Sequence, residues 1–466
     1  MYRKEYTETI FRTGSHTSRK SSVKQHEMAA LREMEQMILA AEAVPAGAEA
    51  LERATAHLEQ FLQQVRQKRI LDEKQRAMEA FRQQFENGYT WRNGFLRNVA
   101  RFGDREALIE PESGTFWTYT QLNAEANRLS HALLRAGLQK GDVVMVQLHN
   151  CPEFVFAYLA CHKTGMVFCP VNFRLSAKEI TDCMDNSRPK VFLLEPETQA
   201  EVDMALRRTA HAPQILLTTD ARAAHAYAGF TADCPATEPE LPWELSVYDE
   251  TLRLFTSGTT GRQKSVCLTS INEVLSAHDV MIHFPFSFTD RSMNTTPWFH
   301  RGGLHSGGIT PTLYAGGTVI IQRKFQPEKT LDMVQQYGLT FLIGVPNVLE
   351  LLAEAQQKQP RDLSSLRGIV TMGSPLERAD CIRYQKILTK RIFNGYGTTE
   401  TFWNTFLRPD DLPEMAGSAG RSCVDDDVRV IKVYEDRVAE PDDLAVTDGS
   451  EVGEVITVSY THLRAH

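Results

Sequence analysis

The sequence predicts an α/β protein: a parallel sheet covered by helices, with a helical extension ahead of it. Three observations predict it. Between residues 105 and 218, short apolar runs alternate with amphipathic stretches in the order strand, helix, strand. That order builds a parallel sheet covered on both faces. Residues 24–85 instead carry apolar side chains at three- and four-residue steps, the period of a helix. Finally, Leu254 and Phe255 lead into a stretch rich in Ser, Thr and Gly with one lysine, a composition suited to holding an anion with backbone N–H groups.

Composition narrows the class. A chain of 466 residues, 42% hydrophobic and 24% charged, can build sizeable cores and more than one domain. A net charge of −8 disfavours a nucleic-acid partner. No apolar run approaches the roughly 18 residues of a membrane span, and the polar, basic N-terminus lacks a signal peptide's apolar segment. Eight scattered cysteines without a CxxC pair indicate neither a zinc site nor a redox motif. They suit a reducing cytoplasm.

The elements follow in order. Residues 1–23, rich in Ser, Thr, Lys and Arg, are expected to be disordered. Met28, Leu31, Met34 and Ile38 predict a helix over 24–42, broken by Pro45 and Gly47. Leu51, Ala54, Leu58, Phe61, Leu62 and Val65 predict a second helix. It continues, with a break, through Met78, Phe81 and Phe85 to Asn87-Gly88. A helical hairpin packed on the body is the plain reading, and a partner-docking or homodimerising module is the alternative. Strands are expected at 105–109, 143–148, 167–170, 191–194 and 214–218. The helix from Thr118 to Ala136 stops at Gly137, and another starts around Asn150 and Pro152. Residues 219–247 form a connector, and a helix begins near Ser270. Further on, strands are expected at 318–322, 340–344 and 367–372, and helices at 327–337 and 346–352. The turn Gly373-Ser374-Pro375-Leu376 reads locally as a helix start, with Ser374 as N-cap and Pro375 at the first helical position.

Two motifs carry chemistry. The first is Thr256, Ser257, Gly258, Thr259, Thr260 and Gly261, followed by Lys264. Its glycines allow close backbone approach, its hydroxyls add donors, and the lysine supplies a mobile charge. The natural ligand is a polyphosphate. A P-loop has four residues between its first Gly and Gly-Lys-Ser/Thr, and this spacing does not match. The second motif is Asn394-Gly395-Tyr396-Gly397-Thr398-Thr399-Glu400. Tyr396 can stack on a base and Asn394 can read its edge. Thr399 can donate to a phosphate, and Glu400 can hold Mg²⁺ through oxygen.

The first motif closely resembles the phosphate-binding signature of the adenylate-forming superfamily, the acyl- and aryl-CoA synthetases, luciferases and peptide adenylation domains. It departs at Gln263, where the superfamily has Pro, a change expected to loosen the approach to Lys264. The second resembles the superfamily's Tyr-Gly-x-Thr-Glu motif, and Gly373, Ser374 and Pro375 resemble its adenine-face turn. Trp298-Phe299-His300-Arg301-Gly302-Gly303 resembles the Phe-His-x-x-Gly stretch beside the carboxylate substrate. The resemblance runs from about Thr90 to Ile456. It implies a large domain of stacked parallel sheets and helices with a partial β subdomain. It further implies ATP, Mg²⁺ and CoA as co-substrates and cofactor, and Lys264, Thr399, Glu400 and His300 as catalytic residues. Phe299, His300, Gly303 and Gly397 would line the acyl pocket. His300 stands where peptide adenylation domains place an Asp, which implies an acid without an α-amino group. Gly397 stands where acetate-activating relatives have Trp, which implies an acid larger than acetate.

The implied reaction makes an acyl-adenylate and passes the acyl group to CoA. Two alternatives remain open: loading of a carrier protein, and a non-catalytic nucleotide- or acyl-binding protein with a docking extension. The superfamily continues past this point with a Thr-Gly-Asp motif, a hinge and a small C-terminal lid. None follows here, and residues 458–466 fit no superfamily pattern. The expected organisation is thus an extension at 1–88, a large domain at 89–457 incomplete at its end, and a non-native tail at 458–466. Such a chain is expected to bind ATP weakly and turn over slowly or not at all.

Overall fold

The computed structural model describes residues 47–257 and 263–459. The expected helix at 24–42, the loop residues Gly258, Thr259, Thr260 and Gly261, and the residues after Ser459 lie outside it. The chain divides into two units, Met1–Arg82 and Gln83–His466.

The first unit contains helix α1 (Gly47–Arg82), 36 residues long. The break expected inside it is not there. Residues 48–82 contain neither Gly nor Pro and are mostly strong helix formers. Ile70, Leu71, Met78 and Phe81 on α1 are exposed.

The second unit opens with a π-helical turn, Gln83–Asn87, and helix α2 (Trp91–Phe102) capped by Thr90. Strands β1 (Glu106–Glu110) and β2 (Thr115–Thr118) form a hairpin. Helix α3 (Tyr119–Arg135) follows. Its start is a capping box in which the Thr118 hydroxyl accepts from the Gln121 N–H while the Gln121 side chain accepts from the Thr118 N–H. Then come β3 (Val143–Gln147), α4 (Pro152–Thr164), β4 (Val167–Pro170), α5 (Ala177–Ser187), β5 (Val191–Leu194), α6 (Gln199–Leu206) and β6 (Ile215–Thr218). The connector holds the short helix α7 (Tyr227–Thr231). Strands β7 (Glu250–Ser257) and β8 (Gln263–Thr269) form an antiparallel hairpin that runs into α8 (Ser270–His283).

The C-terminal half contains β9 (Arg291–Asn294), α9 (Arg301–His305), α10 (Ile309–Ala315), β10 (Thr318–Ile320) and α11 (Pro327–Tyr337). It continues through β11 (Phe341–Gly344), α12 (Pro346–Lys358), β12 (Gly368–Met372), α13 (Arg378–Ile387), β13 (Ile392–Thr398), β14 (Phe402–Leu407) and β15 (Arg421–Ser422). Strands β16 (Asp427–Lys432) and β17 (Gly453–Val458) pair with each other.

Among the described residues the strands form two large sheets. One has the order β6-β5-β3-β4-β7-β8, parallel except for β8. The other has the order β15-β14-β13-β12-β11-β9-β10-β1-β2, parallel from β13 to β1 and antiparallel at both flanks. Helix α4 is mostly apolar and buried along its length except at Glu153, as expected of a helix wedged inside a core. One core cluster joins Leu108 and Val319 of the larger sheet, Val146 and Phe168 of the other, and Leu122, Leu133, Phe154 and Leu159 of α3 and α4. The larger sheet presents the C-terminal ends of β9, β11, β12 and β13 side by side, where ligands of open parallel sheets bind.

One local reading is corrected. Helix α13 begins at Arg378 with Glu377 as cap, not at Ser374. Gly373 takes a left-handed φ of +83°, and Leu376 is buried. The chain therefore turns outward at the end of β12 and leaves Ser374 and Pro375 exposed.

Candidate active site

The phosphate stretch lies across the β7–β8 hairpin. Thr256 pairs with Lys264 and Ser257 with Gln263. Gln263 is thus the first residue of β8, and Lys264 stands exposed beside it on the same strand.

The second motif is split between strand and turn. Asn394 and Gly395 are buried in β13, and Tyr396 is 42% exposed. Asn394 pairs with Thr371 of β12, and Gly395 with Met372, so Gly373-Ser374-Pro375 emerges beside Tyr396. The Asn394 Oδ1 and the Thr371 Oγ1 are both buried without a hydrogen-bond partner among the described residues. A buried carbonyl oxygen without a donor is costly. Thr371 was not singled out from the sequence. A lone threonine ending an apolar run carries no local signal.

Thr398 to Phe402 make the turn into β14. The Thr401 N–H donates to the Thr398 Oγ1 at 3.2 Å, the Thr401 hydroxyl donates to the Asn404 Oδ1 at 2.9 Å, and the Ser459 hydroxyl donates to the Thr401 carbonyl at 3.1 Å. Phe402 is left-handed, with φ +63°. Such a conformation in a bulky residue costs ~1–3 kcal/mol and persists only where neighbours enforce it. Thr399 and Glu400 are half-buried in this turn. Glu400 forms no hydrogen bond or ion pair among the described residues, which leaves both carboxylate oxygens for a hard cation.

Gly397 has a backbone reason to be glycine. A Cβ there would lie 1.5 Å from the Phe402 carbonyl oxygen. The hairpin as folded leaves no room for a side chain here, a backbone reason for glycine at this position. We expect Gly397→Ala to lower stability by about 2 kcal/mol or more. A thermal melt matching wild type would show that the hairpin opens freely.

The aromatic-His stretch is pinned by two asparagines that the sequence did not single out. The Asn150 Oδ1 accepts from the Trp298 N–H at 2.9 Å. At the end of β9, the Asn294 side chain donates to the Gly302 and Ser306 carbonyls and accepts from the Thr296 N–H. His300 caps α9 with its ring 4.1 Å from that of Phe299, which packs edge-on against Phe173. The protein mass around His300 lowers its pKa, favouring the neutral imidazole. Gly303 is buried with its Cβ position 2.1 Å from the Pro297 carbonyl oxygen, so it lets the loop close on itself. α9 touches the other motifs directly: Arg301 donates to the Thr399 carbonyl, and a Cβ on Gly302 would meet the Met372 sulfur at 3.0 Å.

Behind α9 lies a buried polar network. Glu273 of α8 accepts from the Tyr158 hydroxyl at 2.7 Å and hydrogen-bonds the His305 Nε2 at 2.6 Å. Burial pushes the Glu273 carboxyl up, but His305, His162 and Tyr158 outweigh it and hold the carboxyl at about 2. His162 is packed between Trp91 and Tyr158 with neither ring nitrogen hydrogen-bonded. Burial lowers it to about 4, against the pull of Glu273.

Another buried group, Asp279, His283 and Cys423, has donor atoms within 4.8 Å of one another. Arg408 lies 2.6 Å from the His283 Nδ1. Arginine can only donate, so Nδ1 accepts and Nε2 carries the ring proton, facing Asp279 at 2.8 Å. With Nδ1 taken by Arg408 and the proton on Nε2, the imidazole keeps no lone pair for an ion, while Nε2 and the Asp279 Oδ2 have no hydrogen-bond partner among the described residues.

Comparison with known proteins identifies the family. The chain is 31% identical over 337 residues to the indoleacetate–CoA ligase of Aromatoleum aromaticum, covering 70% of this chain and 65% of that protein. It is 29% identical over 337 residues to the long-chain-fatty-acid–CoA ligase FadD13 of Mycobacterium tuberculosis, covering 72% and 65%. The chain therefore spans slightly less than two thirds of these relatives. The fold matches the crystal structure of the anthranilate CoA ligase AuaEII in complex with anthranoyl-AMP, with a TM-score of 0.71 at 19% identity over 80% of this chain and 70% of that one. Residues 95–460 match the family model described as AMP-binding enzyme. They contain every motif placed above, and the chain belongs to that family.

Proposed function

We propose that the protein activates a carboxylic acid with ATP and passes the acyl group to CoA. The carboxylate oxygen attacks the α-phosphorus, the bond to pyrophosphate breaks, and an acyl-adenylate forms. The CoA thiol then gives up its proton and displaces AMP, leaving a thioester. The observation that carries this reading is the exposed Tyr396 ring beside the Gly373-Ser374-Pro375 turn. It offers a face for a purine ring at the carboxyl ends of parallel strands.

Other residues take up the remaining groups. Lys264 and the hydroxyls of Thr256 and Ser257 serve the phosphates, and Thr399 donates to the α-phosphate. Mg²⁺, held by Glu400 with phosphate oxygens, would neutralise charge on the triphosphate. Phe299 and His300 lie against the acid. A neutral His300 neither repels a carboxylate's hydrocarbon part nor demands a counter-charge. Relatives named for indoleacetate and long-chain fatty acids support an acid larger than acetate and without an α-amino group. The reading also places the protein in the cytoplasm. All eight cysteines are free, and no described helix is long and apolar enough to cross a membrane.

The test is a panel of aryl-acetic, cinnamic and fatty acids with ATP, Mg²⁺ and hydroxylamine, scored for acyl-hydroxamate and AMP. Hydroxamate formation that requires both ATP and one class of acid is expected. Failure of the protein to bind either AMP or Mg·ATP in calorimetry would overturn the reading.

A further inference from the structure

We propose that Arg301 is a positioning residue that sets the orientation of the Glu400 metal-binding turn from the acid side of the site. The inference deepens the nucleotide reading above and rests on it. Arg301 is the first residue of α9, directly after His300, and is only 4% exposed. Its guanidinium spans three elements. One nitrogen donates to the Thr399 carbonyl, the other donates to the Ser276 hydroxyl of α8 at 3.2 Å, and the flat face lies 5.2 Å over the Phe402 ring.

Each contact bears on Glu400. The Thr399 carbonyl belongs to the peptide that joins Thr399 to Glu400, so a donor fixed on that oxygen fixes the plane from which Glu400 projects. Phe402, two residues on, is held left-handed, with its ring between the Arg301 guanidinium, the His305 ring at 5.9 Å and Trp403 at 4.7 Å. The Arg301 end is itself anchored, since its own carbonyl hydrogen-bonds the His305 Nδ1 at 3.2 Å. His305 in turn is tied to Glu273. The turn bearing Glu400 is therefore braced by a residue adjacent to the substrate-side His300. A planar two-armed donor suits this brace, and a lysine's single point charge does not.

The readout is how far Mg²⁺ strengthens nucleotide binding. ATP affinity is measured by calorimetry with Mg²⁺ and with excess EDTA, for wild type, Arg301→Met, Arg301→Lys and Ser276→Ala. Wild type is expected to gain affinity from Mg²⁺. Arg301→Met should lose that gain by on the order of tenfold, with metal-free ATP affinity changing much less, since a charged hydrogen bond of this kind carries about that factor. Arg301→Lys should restore part of it, and Ser276→Ala should lose a smaller share. Should Arg301→Met fail to fold, the lysine and alanine variants decide alone. A Mg²⁺ gain equal to wild type in all folded variants overturns the proposal while leaving the nucleotide reading intact. No Mg·ATP binding by wild type overturns the nucleotide reading and this proposal with it. A drop in melting temperature with an unchanged Mg²⁺ gain would mark Arg301 as merely structural.

Discussion

Glu400→Gln is expected to cut Mg²⁺-dependent acyl-hydroxamate formation by about 100-fold or more, the scale on which loss of a group that stabilises developing charge acts. The amide keeps the shape of the side chain but loses the negative charge that a hard divalent cation requires. Because no described residue hydrogen-bonds the Glu400 carboxylate, the substitution breaks no contact in the turn, and the melting temperature should stay within a degree or two of wild type. The pair of measurements is decisive. A large loss of rate at unchanged stability assigns the carboxylate to the chemistry. An unchanged rate removes Glu400 from it and leaves the metal to other ligands.

Acid should unfold the protein in two overlapping steps that the buried network controls. His162 is held at about 4, below its ordinary 6.5, so the unfolded chain takes up a proton there that the folded chain refuses. Its stabilising contribution is complete above pH 6.5 and is lost as pH falls to 4. Glu273, held at about 2 against an ordinary 4.5, contributes stability above pH 4.5 that is lost as pH falls towards 2. His162→Phe should flatten the loss between pH 6.5 and 4, because both ring nitrogens already lack partners and a benzene ring fits between Trp91 and Tyr158. Glu273→Ala should cost ~3–5 kcal/mol at pH 7, the cost of breaking a buried charged network by removing one partner. It leaves His305 and the Tyr158 hydroxyl without their acceptor. Melting temperatures recorded at intervals from pH 7 to 3 test both. A wild-type profile that is flat from pH 6.5 to 4 would falsify the role given to His162.

The two predictions draw on parts of the chain that differ in how legible they were. The motifs around Lys264 and Tyr396-Gly-Thr-Thr-Glu400 are local. Their residues are neighbours in sequence, so the resemblance to a phosphate-binding signature is visible before any fold is known. Elements such as β3, β4, β5 and α11 were equally readable, because runs of apolar residues or a clean helical period bounded by Pro and Gly leave one solution. The start of α8 at Ser270 was visible for the same reason.

Other elements were hidden because their buried faces are polar. β9 reads Arg-Ser-Met-Asn, yet Ser292 and Asn294 are buried, with Ser292 donating to the Gly307 carbonyl and Asn294 holding Gly302 and Ser306. No periodicity rule marks a strand whose polar groups are satisfied by a loop many residues away. α9 and α10 are short for a related reason, since their ends are fixed by tertiary hydrogen bonds to Asn294 and by close backbone contacts at Gly303 and Gly308. Gly397 shows the converse. Its residue type suggested an open pocket, and the backbone of Phe402 gives it a further reason that only the folded hairpin shows.

The sequence by itself determined the chemistry on offer and the α/β class, since both depend on which side chains are near one another along the chain. Only the tertiary structure decided how those groups are aimed. Arg301 reaches the Thr399 carbonyl 98 residues away, Glu273 meets His305 and Tyr158 from three helices, and the Asn394 Oδ1 is left without a partner among the described residues. These outcomes depend on which buried polar groups find each other when the sheet closes. That is a matter of packing between elements distant in sequence, about which local pattern is silent.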